Sequence, residues 1–162
     1  MNTAQAPTLS GTSVIQPGKA DMPSPAFNSD KEVRVPVSSD NDLVTARREG
    51  RDMAGQLGFS ACEVTLVASA ISELIRNIFV YAKHGEIQMR PSNDRSRRGI
   101  TIVASDQGPR VADVDFAAQV GYSASGGIGL GLPGVKRIMD EFDISSEPGR
   151  GTTITVTKWK RR

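Results

Sequence analysis

The chain holds one cysteine, Cys62, and one histidine, His84. A single thiol excludes an internal disulfide and any zinc site built on cysteines, and a reducing cytoplasmic setting is expected. Cys62 falls in the first turn of a predicted helix with no histidine or basic cluster near it, so it reads as packing or surface filler rather than a reactive thiol. No run of about 18 apolar residues occurs, so no membrane span is expected. The N-terminus lacks a basic start followed by an apolar core, so no secretory signal is expected either. Charge of one sign is scarce as well. The net charge is +2, and the basic excess sits in Arg95-Ser96-Arg97-Arg98 and in Lys158 to Arg162. A basic turn and a basic end read as solvated surface, not as a nucleic-acid-binding face. No Gly-Lys-Ser/Thr follows a glycine loop, which excludes a Walker A site.

What remains fits one domain with a tail. The chain has 162 residues, 38% of them hydrophobic and 23% charged. Residues 1–31 are rich in Ser, Thr, Pro, Gly, Ala and Asn, with Pro7, Pro17, Pro23 and Pro25 and no apolar period. Such a segment cannot bury enough surface to offset the entropy of ordering it, and it reads as a disordered tail. From Val33 the pattern becomes regular. Val33 to Val37 alternates as an edge strand with Pro36 in it. Leu43 to Leu57 is a helix stopped at Gly58, with helix-start residues at Ser39 to Asp42. Ser60 and Glu63 form a capping box for a second helix running to about Ala82. Strands are predicted at Glu86–Arg90 and Ile100–Ala104, with a polar turn from Ser92 to Gly99 between them. A short helix over Asp113–Val120, a glycine-rich loop and a helix over Leu132–Phe142 follow. Asp143–Ser146 and Thr152–Trp159 close the chain as a hairpin around Pro148-Gly149. Paired helices between hairpin-linked strands predict a two-layer α/β sandwich, a mixed sheet with helices on one face.

Three stretches carry chemistry. On the second helix Val64, Ala68, Ile71, Ile75, Ile78 and Ala82 form one apolar stripe. Glu73 and Asn77 lie off that stripe, four residues apart, beside Leu66, Ala70 and Leu74, so that side is expected to be covered too. Asn is a poor interior helix residue, and its use there calls for a reason. Asp106-Gln107-Gly108-Pro109 begins where a buried strand ends, a place where ligands gather in α/β folds, although an Asx turn would use the same residues. Gly121 to Gly131 holds five glycines in eleven residues and leads into a helix. Exposed amides and the helix dipole favour anions there. A dinucleotide-binding fingerprint does not fit, because the loop follows no strand directly.

These residues, with the hydrophobic stretch Leu132-Pro133-Gly134-Val135 and the ending Thr155-Val156-Thr157-Lys158-Trp159, resemble the GHKL superfamily of ATPases and kinases. Within it the chain is similar to the switch serine/threonine kinases of the RsbT type, over about residues 32–160. The resemblance implies a Bergerat-type ATP-binding fold over 32–162, with ATP and Mg²⁺ as ligands. It implies that Glu73 is the general base and that Asn77 coordinates Mg²⁺. Asp106 would accept from the adenine amino group and Gly108 would pack near the base. Ser125, Gly126, Gly127, Ile128, Gly129, Leu130 and Gly131 would line the triphosphate, and Thr152 would support Asp106. One residue departs from the pattern: Arg110 stands where the family usually has a glycine, and a side chain there costs about 1 kcal/mol or more if the turn needs positive φ.

The activity implied is an ATP- and Mg²⁺-dependent protein serine/threonine kinase acting on STAS-domain proteins in a stress or sigma-factor partner-switching pathway. An anti-sigma factor or phosphatase-activating module with weak or no kinase activity is the alternative, with a phosphatase or sigma-factor regulator as partner. A stand-alone histidine-kinase catalytic domain is disfavoured, since His84 lies at a helix end beside Gly85 and reads as a partner for the helix dipole. Removing residues 1–31 should leave the melting temperature within a few degrees, because no periodic apolar face goes with them. A large drop in thermal unfolding of the truncated chain would show that the tail packs.

Overall fold

The computed structural model describes residues 30–108, 131–147 and 149–162. The predicted helix at Asp113–Val120 and the glycine loop up to Leu130, with Arg110, lie outside them. The elements in chain order are β1 (Val33–Val37), α1 (Asp40–Gln56), α2 (Ala61–Tyr81), β2 (Gly85–Asp94), β3 (Arg97–Asp106), α3 (Gly131–Ile138), β4 (Glu141–Glu147) and β5 (Gly151–Trp159).

Both long helices start where the sequence places a cap. The Asp42 carboxylate accepts from the Ser38 and Ser39 N–H groups, each at 2.8 Å, so α1 begins three residues earlier than the apolar pattern predicts. Glu63 accepts from Ser60 N–H at 2.8 Å and Ser60 Oγ accepts from Glu63 N–H at 3.3 Å, the reciprocal capping box. Beyond α1, Gly58 takes φ +80, a left-handed stop. By length and composition α2 could cross a membrane. In this fold its apolar surface is the centre of the core: Val67, Ala68, Ala70, Ile71, Leu74, Ile75 and Ile78 are all buried. Two sides of the predicted stripe are therefore covered, one by the sheet and one by α1. Gly50 of α1 lets the helices approach, since a Cβ there would collide with the Ile71 Cδ1 methyl.

The two-layer α/β architecture stands, with one correction. The sheet runs β1-β2-β3-β5-β4, and every neighbouring pair is antiparallel rather than mixed. A single crossover helix would return the chain parallel to its starting strand. Here α1 and α2 form a pair, so β2 comes back antiparallel to β1. The β4–β5 hairpin places β5 against β3 and leaves β4 at the edge.

Two boundaries also move. The polar stretch Ser92 to Gly99 is not a loop: Ser92, Asn93 and Asp94 pair with Gly99, Arg98 and Arg97, and the turn is only Arg95-Ser96. Pro91 is tolerated because β1 reaches no further along β2 than Met89, so β2 is an edge beyond that point. Polar pairs replace apolar ones in this extension. Ser92, Thr101 and Thr157 share hydroxyl contacts of 2.6 and 2.9 Å, and the Arg97 guanidinium lies 4.5 Å above the Trp159 ring. The helix predicted to Phe142 ends at Ile138, and Phe142 belongs to β4. Strand β5 makes that break: Lys158, only 3% exposed, donates its ammonium to the Ile138 carbonyl at 2.8 Å, and Trp159 N–H donates to Asp140 at 2.6 Å. A cation on the last carbonyls of a helix satisfies orphan acceptors and opposes the dipole.

Candidate functional site

The candidate site gathers at one end of the sheet, where the C-terminal half of α2, the ends of β3 and β5 and the start of α3 meet. Glu73 projects from α2 with a side chain 11% exposed. A carboxylate so covered needs donors, and each of its oxygens has one. Oε1 accepts from Arg76 Nη1 at 2.6 Å, and Oε2 accepts from the Gly131 N–H at 3.2 Å. The second bond spans 58 positions of sequence. It brings the last glycine of the predicted phosphate loop, at φ +62 and at the first turn of α3, onto the predicted base. Asn77, half-buried, sits one turn further along α2 on the same side.

Asp106 closes β3, paired with Gly85 on one side and Thr152 on the other. It is 7% exposed, on the helix-facing side of the sheet with Ala104 and Ile102. Its Oδ1 accepts from Gly108 N–H at 2.9 Å, so the Asx turn read from the sequence is present. Burial pushes the Asp106 carboxyl above its ordinary value of 3.8, against the downward pull of backbone donors at Gly108 and Thr152. Glycine is required on both sides of this residue. A Cβ on Gly151, at φ +80, would collide with the Asp106 carbonyl, and one on Gly108 would lie 2.6 Å from the Ala82 Cβ at the end of α2. Thr152 is buried beside Asp106, and its hydroxyl lies 3.0 Å from Ser146 Oγ.

The structure thus brings predicted site residues together in two groups: Glu73 with Gly131, a contact the sequence does not announce, and Asp106 with Thr152 and Gly108. Ser125, Gly126, Gly127, Ile128, Gly129 and Leu130 lie outside the described residues. Sequence reasoning passed over Arg76, Gly85 and Gly151. Arg76 was open to it, since positions three apart on a helix are neighbours. The contacts of Gly85 and Gly151 depend on strand register, which local sequence does not fix. His84 is exposed after the helix end and lines a cleft of about 520 Å³ that reaches Gly85 and Asp106, with Glu86, Ser105, Gln107, Arg150 and Thr153. Glu86, Ser105 and Thr153 alternate with buried Ile87, Ala104 and Ile154, so the cleft opens on the outer sheet face and reaches Asp106 at the end of β3.

Comparison with known proteins follows the same outline. The family of the histidine kinase-like ATPase domain matches residues 37–158. The chain is 46% identical over 127 residues to the serine/threonine-protein kinase RsbT of Bacillus subtilis (strain 168), covering 78% of this chain and 96% of that one. It is 29% identical over 139 residues to an anti-sigma F factor of Caldanaerobacter subterraneus subsp. tengcongensis, covering 82% and 95%. Among solved structures it resembles the RsbU and RsbW domains of Rv1364c from Mycobacterium tuberculosis, with a TM-score of 0.53. That match, at 18% identity, covers 80% of this chain and 32% of the longer one, and is a likeness of fold.

The Asp106 carboxyl makes a pH prediction. Its folded-state pKa is raised, so its contribution to stability is full below the unfolded value of 3.8 and is lost as pH rises through the folded value. At neutral pH the ionised group is therefore a net cost to the fold. Asp106→Asn keeps an acceptor for Gly108 and removes the charge. The variant should be the more stable protein at pH 7 in urea unfolding, with the gap closing as pH falls through the raised folded value and closed by about pH 4. A wild type that is the more stable at pH 7 would contradict the burial argument.

Proposed function

Because the chain belongs to the histidine kinase-like ATPase domain family, we propose that it is an ATP- and Mg²⁺-dependent protein serine/threonine kinase of a partner-switching pathway. The observation that carries the reading is the contact of Glu73 with Gly131, which places a carboxylate against the end of a glycine run. Phosphoryl transfer asks little covalent chemistry of a protein. It needs the phosphates held, their charge offset, and a base beside the attacking hydroxyl. On this reading Glu73 takes that proton. The amides leading into α3, with the dipole of that helix behind them, favour the phosphates. Asp106, at the strand end between Gly85 and Thr152, offers an acceptor to the amino group of adenine.

Mg²⁺ fits this donor set in one way. Among the described residues no cluster of three His, Cys, Asp or Glu could cage a metal. A small hard cation that keeps its waters and takes one protein oxygen plus phosphate oxygens needs no such cage. The Asn77 amide oxygen, one helical turn from Glu73, would supply that ligand, and the metal would offset charge on the phosphates. The substrates we propose are STAS-domain regulators, by the relation to the kinase RsbT. The relation to an anti-sigma F factor supports a partner-binding output from the same domain, through a sigma-factor regulator or a phosphatase.

Glu73→Gln preserves shape and removes the base. It should lower the rate of phosphoryl transfer about 10²–10⁴-fold and leave ATP affinity nearly unchanged. Asn77→Ala should instead lose the Mg²⁺-dependent part of ATP binding. Single-turnover transfer and calorimetric titration separate the two effects. Full kinase activity in Glu73→Gln would sink the assignment of the base.

A further inference from the structure

We propose that Arg76 is a positioning residue for Glu73, fixing which of the two carboxylate oxygens faces the reacting hydroxyl. This deepens the kinase reading and rests on it.

The geometry is asymmetric. Oε1 is held by Arg76 at 2.6 Å, a short charge-assisted bond, and Oε2 is held by the Gly131 amide at 3.2 Å, a longer neutral one. The terminal torsion of a glutamate is broad, so a carboxylate without a strong anchor turns easily. Arg76 supplies the anchor at Oε1. With that oxygen tied back along α2, Oε2 is directed away from the helix, toward the start of α3 and the end of the glycine run. The loosely held oxygen is therefore the one that meets the phosphate side of the site, and it is the one free to accept a proton.

Stability alone gives a weak reason for this pair. Ion pairs three residues apart on an exposed helix contribute little to stability, and Arg76 is 49% exposed. The partner differs: Glu73 is 11% exposed, and a covered carboxylate turns with its donors. The identity of the donor matters too. A guanidinium stays protonated at any working pH, so it holds the carboxylate without competing for the proton that the base takes up. Arg76 reaches the chemistry only through Glu73. On this reading it touches neither nucleotide nor substrate protein.

The full-length chain tests this in two ways. Arg76→Gln should lower kcat for phosphoryl transfer about 10²-fold, the scale of a misplaced catalytic group, with ATP affinity within about twofold of wild type. Arg76→Lys should recover most of that loss. In a Glu73→Gln background Arg76→Gln should have no further effect, because both changes act on one oxygen pair. The second readout needs no activity. The amide signal of Gly131, recorded by NMR, should shift and exchange faster with solvent in Arg76→Gln, although Arg76 does not bond to Gly131. In the Glu73→Gln background the same change should leave that signal unmoved. A Gly131 amide indifferent to Arg76→Gln would overturn the proposal, as would unchanged kcat. Weaker ATP binding that persists in the Glu73→Gln background would overturn it too, by making Arg76 a phosphate contact. A wild type that transfers no phosphate while its Gly131 amide responds would overturn the kinase reading itself, and leave Arg76 no reaction to serve.

Discussion

Helix α2 has to bury one side and keep a carboxylate at the margin of the other, and the arrangement of the site follows from that constraint. Ile71, Leu74, Ile75 and Ile78 are fully buried, so the rotation of the helix about its axis is fixed by apolar area on two sides. Each residue advances the surface by about 100°, so Glu73 and Asn77 come out together at the border between core and solvent. A rotation of one residue would drive Glu73 into the core or release it to water. In the core it would need its own buried cation. In water it would turn freely and lose its tie to α3. Gly50 sets how closely α1 presses on α2, and Lys158 fixes the far end of α3. The contact between Glu73 and Gly131 is the outcome of those packings.

The end of β3 meets a second demand, a carboxylate held buried at the end of a strand. Asp106 is buried between Gly85 and Thr152, and the surrounding chain approaches so closely that Gly108 and Gly151 have no space for a Cβ. Burial raises its pKa, so the fold is less stable at neutral pH for containing it. A residue kept against stability at a strand end fits the adenine contact proposed for it, since stability is often given up at functional sites. Glu63 runs the other way. Burial acts to raise its pKa, but backbone donors at Arg161 and Ser60, the Ser60 hydroxyl and the Lys158 charge together hold it below its ordinary value. It caps α2 and ties down the C-terminal end through Arg161 N–H at 3.0 Å.

Sequence patterns disclosed those parts that depend on local geometry. The capping box at Ser60 and Glu63, the apolar stripe of α2, the positions of Glu73 and Asn77, and the Asx turn at Asp106 all follow from neighbours within a turn or two. Pairing across the sheet is a different matter. Ser92, Asn93 and Asp94 read as a turn because their own preferences are turn-like, and they are strand only because Gly99, Arg98 and Arg97 face them. Phe142 continues the helical pattern of α3, but β5 competes for it and Lys158 settles the end of the helix. Hairpin-linked strands and paired helices are also compatible with a mixed sheet, and it is the return of β2 antiparallel to β1 after the α1–α2 pair that makes every neighbour antiparallel. Gly131 was legible as part of a glycine run. Its partner, 58 residues away, was not.

The destination of the phosphoryl group decides between a kinase and a binding module. Purified protein, Mg²⁺ and ATP labelled on the γ-phosphate, incubated with candidate STAS-domain proteins and followed by acid hydrolysis and phosphoamino-acid separation, gives the most direct answer. Label on phosphoserine or phosphothreonine of a STAS-domain protein, dependent on Glu73, is the predicted result. Acid-labile label on the kinase itself, or tight STAS-domain binding with no transfer at any Mg²⁺ concentration, would contradict it.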